Sequence, residues 1–160
     1  MVGEVKAVEQ QSGPSSCATA PDLSAYQPLL DGLTEPFWAG ASDGRLVLSR
    51  CPRCRRWQHP PLDLCRFCAV RLVPESAPMR GTVYSYTITY HDSIPLYTPP
   101  FAVAVVDIGD DEEPPRIVAR IVDCDLEHVC VGASVRIETR PLPGGSFAVP
   151  VAVLDRTDPA

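Results

Sequence analysis

Seven cysteines in 160 residues are the main source of chemistry in this chain, and four of them fall into a pattern. Cys51 and Cys54, then Cys65 and Cys68, give the spacing C-x2-C-x10-C-x2-C. Two residues between cysteines let a tight turn aim both thiolates at one metal ion while backbone N–H groups point at the sulfurs. Two such knuckles together make a tetrahedral four-thiolate site. Four protein ligands leave no position open for water, so the expected site is structural and not a Lewis-acid centre. One zinc ion is the expected occupant, with iron the rival for the same ligands. A module this short has little core of its own, and metal binding, on the order of 10–16 kcal/mol in small zinc peptides, is expected to supply much of its folding energy.

The other candidates carry less. Cys17 lies in a polar N-terminal stretch, while Cys124 and Cys130 lie near a strand end and a turn, where a small buried hydrophobe is the expected role. His59, His91 and His128 are spread over three segments. Nothing resembles a nucleophile elbow, a phosphate-binding glycine loop or a paired acid and base. His59, beside Pro60 and Pro61, reads as a surface group or a neighbour of the metal site. The run from Asp110 to Glu113 ahead of Pro114 reads as a solvated hairpin loop. These residues point away from an enzyme acting on its own.

Charge is distributed unevenly. Arg45 to Arg80 holds eight arginines against Asp63 and Glu75, whereas Gly81 to the end holds five arginines against twelve acids. A basic module therefore precedes an acidic one. The only lysine is Lys6, so nearly all the positive charge is guanidinium, the group suited to bidentate contact with phosphate or carboxylate. The first residues show neither a basic stretch nor an apolar run, and no segment is apolar for long enough to span a bilayer. A cytoplasmic protein without a membrane partner is expected, and seven cysteines in a reducing compartment favour metal binding over disulfides.

The elements that must position the cysteines are short. Eighteen prolines argue against long helices. Residues 1–25 lack periodicity and read as a disordered tail. Residues 26–44 read as a helical docking segment, with Thr34 as N-cap, Pro36 tolerated early, and Phe37 and Trp38 as packing anchors. Residues 45–78 hold the metal ribbon, introduced by the strand-like Arg45 to Arg50. Residues 79–156 read as five strands: Thr82 to His91, Phe101 to Ile108, Arg116 to Asp123, Ser134 to Arg140 and Phe147 to Leu154. Pro150 marks the last as an edge or bulged strand, and Asp125 to His128 is expected to form one helical turn. The pattern predicts a mainly β protein ending in a small barrel or sandwich.

With the knuckles followed by Gly81-Thr82-Val83-Tyr84-Ser85-Tyr86-Thr87, the sequence resembles the DUF thirty-five (DUF35) family. The resemblance runs from about Leu33 to Leu154. It includes Phe37 and Trp38 ahead of the ribbon, Pro60 and Pro61 before the second knuckle, the run from Pro99 to Val106, and Val131 to Arg136. It departs at Arg55, where glycine is common, in the second knuckle, which lacks the usual proline, and around Phe147 to Pro150. The resemblance implies a rubredoxin-like zinc ribbon followed by a five-stranded OB-fold barrel. It also implies an accessory role beside a thiolase-superfamily enzyme (thiolase or lipid-transfer-type aldolase), at times with a hot-dog-fold hydratase. The partner would carry the catalytic residues for carbon–carbon bond formation or cleavage on an acyl-CoA, such as a steroid side chain.

On that reading the candidate contacts to coenzyme A or to the partner are Arg53, Arg55, Arg56, Trp57 and Arg66 on the ribbon, with Tyr84 and Tyr86 on the first barrel strand. The coenzyme A thioester itself is a possible ligand. Single-stranded nucleic-acid binding is the alternative, since both zinc ribbons and OB-folds perform it. The acidic barrel would repel a phosphate backbone along its face.

Overall fold

A computed structural model of the chain describes Leu23, residues 26–92 and residues 95–155. The tail expected over residues 1–25 lies, apart from Leu23, outside them. Among the described residues one short helix precedes eight strands. Helix α1 (Glu35–Ser42) leads into β1 (Val47–Arg50), β2 (Trp57–Gln58) and β3 (Val73–Ser76), which pair antiparallel in the order β2-β1-β3. Strands β4 (Arg80–Thr89), β5 (Phe101–Ile108), β6 (Arg116–Val122), β7 (Ser134–Pro141) and β8 (Ala148–Leu154) close a barrel in the order β4-β5-β6-β8-β7. All its pairings are antiparallel except β6 with β8. The 3-10 turn at Leu126–His128 sits where the single helical turn is expected. No helix among the described residues is long and apolar enough to cross a membrane.

The start of α1 departs from expectation. Thr34 occupies the N-cap position but makes no side-chain cap. Its hydroxyl donates to Asp31 Oδ1 at 2.8 Å, and that oxygen also accepts from the N–H groups of Leu33 and Thr34. Asp31 thus satisfies the free N–H groups ahead of the helix, and these bonds, the Thr34 hydroxyl foremost, hold its carboxyl below the usual range. Phe37 and Trp38 anchor the helix as expected. Phe37 lies 5.4 Å from the His59 ring on the ribbon, and Trp38 lies 6.3 Å from Phe147 at the barrel. Gly40 lets α1 approach β1 closely, since a Cβ there would overlap Val47.

Barrel and ribbon share one core. Leu46 and Leu48 are buried in the same cluster as Val83, Val106, Ile117 and Val135. Along β5 the alternate residues Ala102, Ala104, Val106 and Ile108 face inward. Strand β4 does not keep the simple alternation its sequence suggests. A bulge between Val83 and Ser85 leaves Tyr84 unpaired, so Val83, Tyr86 and Ile88 fall opposite the inward residues Val106, Ala104 and Ala102. One extra residue reverses the parity of everything beyond it.

The last strand is not an edge. From Val151 to Val153, β8 pairs with β6 on one side and β7 on the other, because a closed barrel has no edges. Pro150 is accommodated just before the β6 pairing begins, where its only ladder partner is Thr139.

Candidate metal centre and the ribbon surface

The two knuckles are built alike. After Cys51 the chain folds back so that Arg55 N–H donates to Cys51 O at 2.9 Å and Cys51 N–H to Arg56 O at 2.9 Å. After Cys65 the same bonds recur from Ala69 to Cys65 O at 2.9 Å and from Cys65 to Val70 O at 2.8 Å. Closing each turn requires a positive φ, 61° at Arg55 and 51° at Ala69. This is the geometry for which glycine is favoured, and it explains why Arg55 stands out in the sequence.

The four sulfurs converge. Their Sγ atoms all lie within 4.8 Å of one another, and the pairs Cys51–Cys68, Cys54–Cys65 and Cys65–Cys68 are each 3.7 Å apart. A zinc tetrahedron with Zn–S bonds of about 2.3 Å has edges of about 3.8 Å, so the spacing fits. Cys51 and Cys65 are buried and form the ribbon's own small core with Leu72. The ribbon interior is therefore largely made of ligands.

The electrostatics are those of a thiol cluster that a cation would let ionise in full. Burial opposes ionisation of Cys65, but the N–H groups of Phe67 and Cys68 and the neighbouring thiols outweigh it and bring its pKa down to about 6. Cys51 is lowered as well, chiefly by the Cys54 N–H. Cys68, beside Cys54 and the other sulfurs, is pushed up to about 12. Four sulfurs in contact cannot all carry charge unless a cation sits among them, and the donor set fits zinc.

One partner of the site escaped sequence reasoning. Gln58 is the only buried polar residue among the described ones, and its Nε2 donates to Cys65 Sγ at 3.2 Å. Nothing in a two-residue strand beside a tryptophan signals this role.

The candidate contact residues divide into two groups. Arg50 and Arg55 both bind Glu75 at 2.8 Å, and Arg50 also stacks 4.4 Å over Trp57. Arg56 pairs with Glu113 at 2.9 Å, Trp57 Nε1 donates to Asp111 at 2.8 Å, and Arg80 pairs with Asp110. The acidic β5–β6 loop is thus not merely solvated, as expected from sequence. It reaches back to clamp the ribbon, because the eight-arginine module supplies nearby counter-charges. Arg53 and Arg66, one on each knuckle, are exposed and have no side-chain partner among the described residues. Phe67 is exposed beneath Arg56, whose guanidinium lies 4.2 Å from its ring, and Leu64 is exposed as well. Tyr84 is half-exposed beneath Arg116, whose guanidinium lies 3.6 Å from its ring, and Tyr86 is also solvent-accessible.

The remaining candidates are separate from the cysteines. His59 packs against Phe37 between α1 and the ribbon, and burial pushes its pKa down. Cys124 packs against the barrel core, but Cys130 is exposed and not the buried hydrophobe expected, since it follows the core residue Val129 in the turn before β7.

A zinc-ribbon sheet set on a closed five-stranded barrel, with the third and fifth barrel strands parallel, defines the class of zinc-ribbon/OB-fold proteins. Comparison with known proteins narrows this. The ChsH2 rubredoxin-like zinc ribbon domain matches residues 38–73, and the ChsH2 C-terminal OB-fold domain matches residues 74–140. The chain belongs to the DUF35 family, with ChsH2-type domains in both halves. It is 26% identical to a chain of the Ltp2-ChsH2(DUF35) aldolase, covering 80% of this chain and 98% of that one with a TM-score of 0.72. A DUF35 protein of unknown function from Sulfolobus solfataricus shares the fold at 22% identity and a TM-score of 0.52, over 76% of this chain and 84% of that one. A curated relative from Thermomonospora curvata, "Probable enoyl-CoA hydratase alpha subunit", is 31% identical over 104 residues, or 64% of this chain. The match spans 32% of that relative's length.

Proposed function

We propose that this chain is a non-catalytic, zinc-binding accessory subunit of a thiolase-superfamily enzyme, a thiolase or a lipid-transfer-type aldolase. On this reading it supports binding or handover of an acyl-CoA thioester while carbon–carbon bond formation or cleavage proceeds on the partner. The observation that carries the reading is the likeness to the Ltp2-ChsH2(DUF35) aldolase, which extends over nearly the whole of that chain. The name of the hydratase relative lends support to a hydratase as a further partner, and the hot-dog fold for it is what the family resemblance implies.

Each part of the chain has a role in this account. Cys51, Cys54, Cys65 and Cys68 hold one structural zinc in a closed site. Arg53 and Arg66 are the ribbon guanidinium groups left to meet coenzyme A phosphates or an acidic patch of the partner. Arg55 is held by Glu75 within the ribbon, whereas Arg56 and Trp57 are engaged by Glu113 and Asp111 of the barrel and set how the ribbon sits on it. Nucleic-acid binding has less support, because Arg50, Arg55, Arg56 and Arg71 are already neutralised by carboxylates of this chain.

The test is to assay a thiolase-type subunit from the same organism on a CoA thioester, alone and reconstituted with this chain. The account expects the lone subunit to be unstable or to turn over at a small fraction of the reconstituted rate. Equal stability and equal turnover would contradict it.

A further inference from the structure

Apart from the four sulfurs, little joins the two knuckles to each other. Among the described residues no backbone hydrogen bond runs between residues 51–56 and residues 65–70. The ribbon's own core is Cys51, Cys65 and Leu72, with Cys54, Leu62 and Cys68 against it. The buried Gln58 reaches the second knuckle from β2. One further side-chain contact crosses the gap, on the exposed side. The Arg56 guanidinium lies 4.2 Å from the centre of the Phe67 ring. Arg56 closes the first knuckle, since its carbonyl accepts from the Cys51 N–H. Phe67 sits between the two ligands of the second, and its N–H points at the Cys65 sulfur at 3.5 Å.

Arg56 is itself held from outside the ribbon. Its Nε pairs at 2.9 Å with Glu113, on the loop between β5 and β6. Asp111 of the same loop accepts from the indole of the next ribbon residue, Trp57. Two consecutive ribbon residues are therefore pinned by the barrel. Glu112, between the two acids in sequence, has no ion-pair partner among the described residues. A free arginine side chain samples many rotamers, and a carboxylate that fixes it over a ring offsets part of the entropy lost in stacking.

We infer that Glu113, Arg56 and Phe67 form a strap across the metal centre, through which the barrel slows the loss of its zinc. Neither Glu113 nor Arg56 belongs to the four-cysteine donor set, so both are positioning residues. An ion held by ligands from two knuckles leaves when the knuckles part. Parting them pulls Phe67 away from Arg56, which Glu113 keeps from following. The strap is a property of this chain and its metal alone and does not depend on the accessory-subunit reading.

The test follows zinc transfer from the full, zinc-loaded chain to a chromophoric chelator, in an excess at which the rate no longer depends on chelator. The proteins are the wild type, Glu113→Gln, Glu112→Gln, Phe67→Leu and the double variant Glu113→Gln with Phe67→Leu. All three positions are exposed, and the melting temperature with zinc bound confirms that each protein is folded. At low salt, Glu113→Gln and Phe67→Leu are each expected to speed transfer about two- to fivefold, the range of an exposed guanidinium–ring contact. Glu112→Gln should leave the rate unchanged. The double variant should be no faster than Phe67→Leu, because the carboxylate acts through the ring contact. Wild type and Glu113→Gln should converge at high salt. A wild-type rate in Glu113→Gln or in Phe67→Leu overturns the strap. Equal acceleration by Glu112→Gln assigns the effect to the loop's overall charge and overturns it too, as do fully additive effects in the double variant. A chain that takes up no zinc overturns the metal centre and the strap together.

Discussion

Gln58 Nε2 donates to the Cys65 sulfur at 3.2 Å, while its Oε1 accepts from the Arg66 N–H at 3.4 Å. One side chain on β2 therefore ties the second knuckle to the sheet that carries the first. A donor to a ligating sulfur orients it and spreads its charge, and outer partners of this kind are worth roughly 10–100-fold in metal affinity. Gln58→Leu removes both bonds while keeping the position filled. Zinc binding, measured by competition with a chromophoric chelator, is expected to weaken by about tenfold or more. Unaltered affinity would remove Gln58 from the account.

The left-handed residues closing the knuckles define a second expectation. Ala69 holds φ at 51° without a glycine's freedom, at a cost of about 1–2 kcal/mol. Ala69→Gly is expected to stabilise the zinc-loaded protein by about 1 kcal/mol, less what the freer unfolded chain gains. Ala69→Val, bulkier and β-branched, should destabilise it. Chemical unfolding of the three proteins decides. Arg55→Gly should gain less, because it also removes the Glu75 pair.

Glu75 gives the chain a pH-dependent term. Arg50 and Arg55 hold its carboxyl below the usual glutamate range. A carboxyl lowered in the folded state contributes stability above its unfolded pKa of about 4.3, and that contribution is lost as pH falls through the lower folded value. The pairs are partly exposed, so the contribution at neutral pH is about 1 kcal/mol. Thiolate protonation releases zinc from wild type and Glu75→Gln alike, so the difference between them is the quantity to follow. It should be present at pH 7 and close in acid. A gap that is constant from neutral to acid would contradict the assignment.

Much of this molecule can be read from its sequence, and the gaps have physical causes. The cysteine spacing locates the metal site because two knuckles demand it, and the apolar periodicity locates β5, β6 and β7 to within a residue or so of the observed bounds. Periodicity cannot foresee a bulge, so the parity of Tyr84 and Tyr86 on β4 was not available. Nor does a proline reveal whether its strand will be enclosed by barrel closure, as Pro150 is. The polar contacts by which the acidic loop clamps the ribbon join residues more than fifty positions apart, such as Trp57 and Asp111. The charge asymmetry is visible in the sequence, but only the folded geometry shows that the acidic loop neutralises Arg56, while Arg53 and Arg66 have no carboxylate partner among the described residues.

The most direct test of the central claim is native mass spectrometry of this chain co-expressed with a thiolase-type subunit from the same organism. The account predicts a hetero-oligomer that retains one zinc per copy of this chain. It also predicts that Cys65→Ser loses the zinc and the complex together. Zinc-loaded, folded chain and folded thiolase-type subunit appearing only as separate species would contradict the claim that this chain is an accessory subunit.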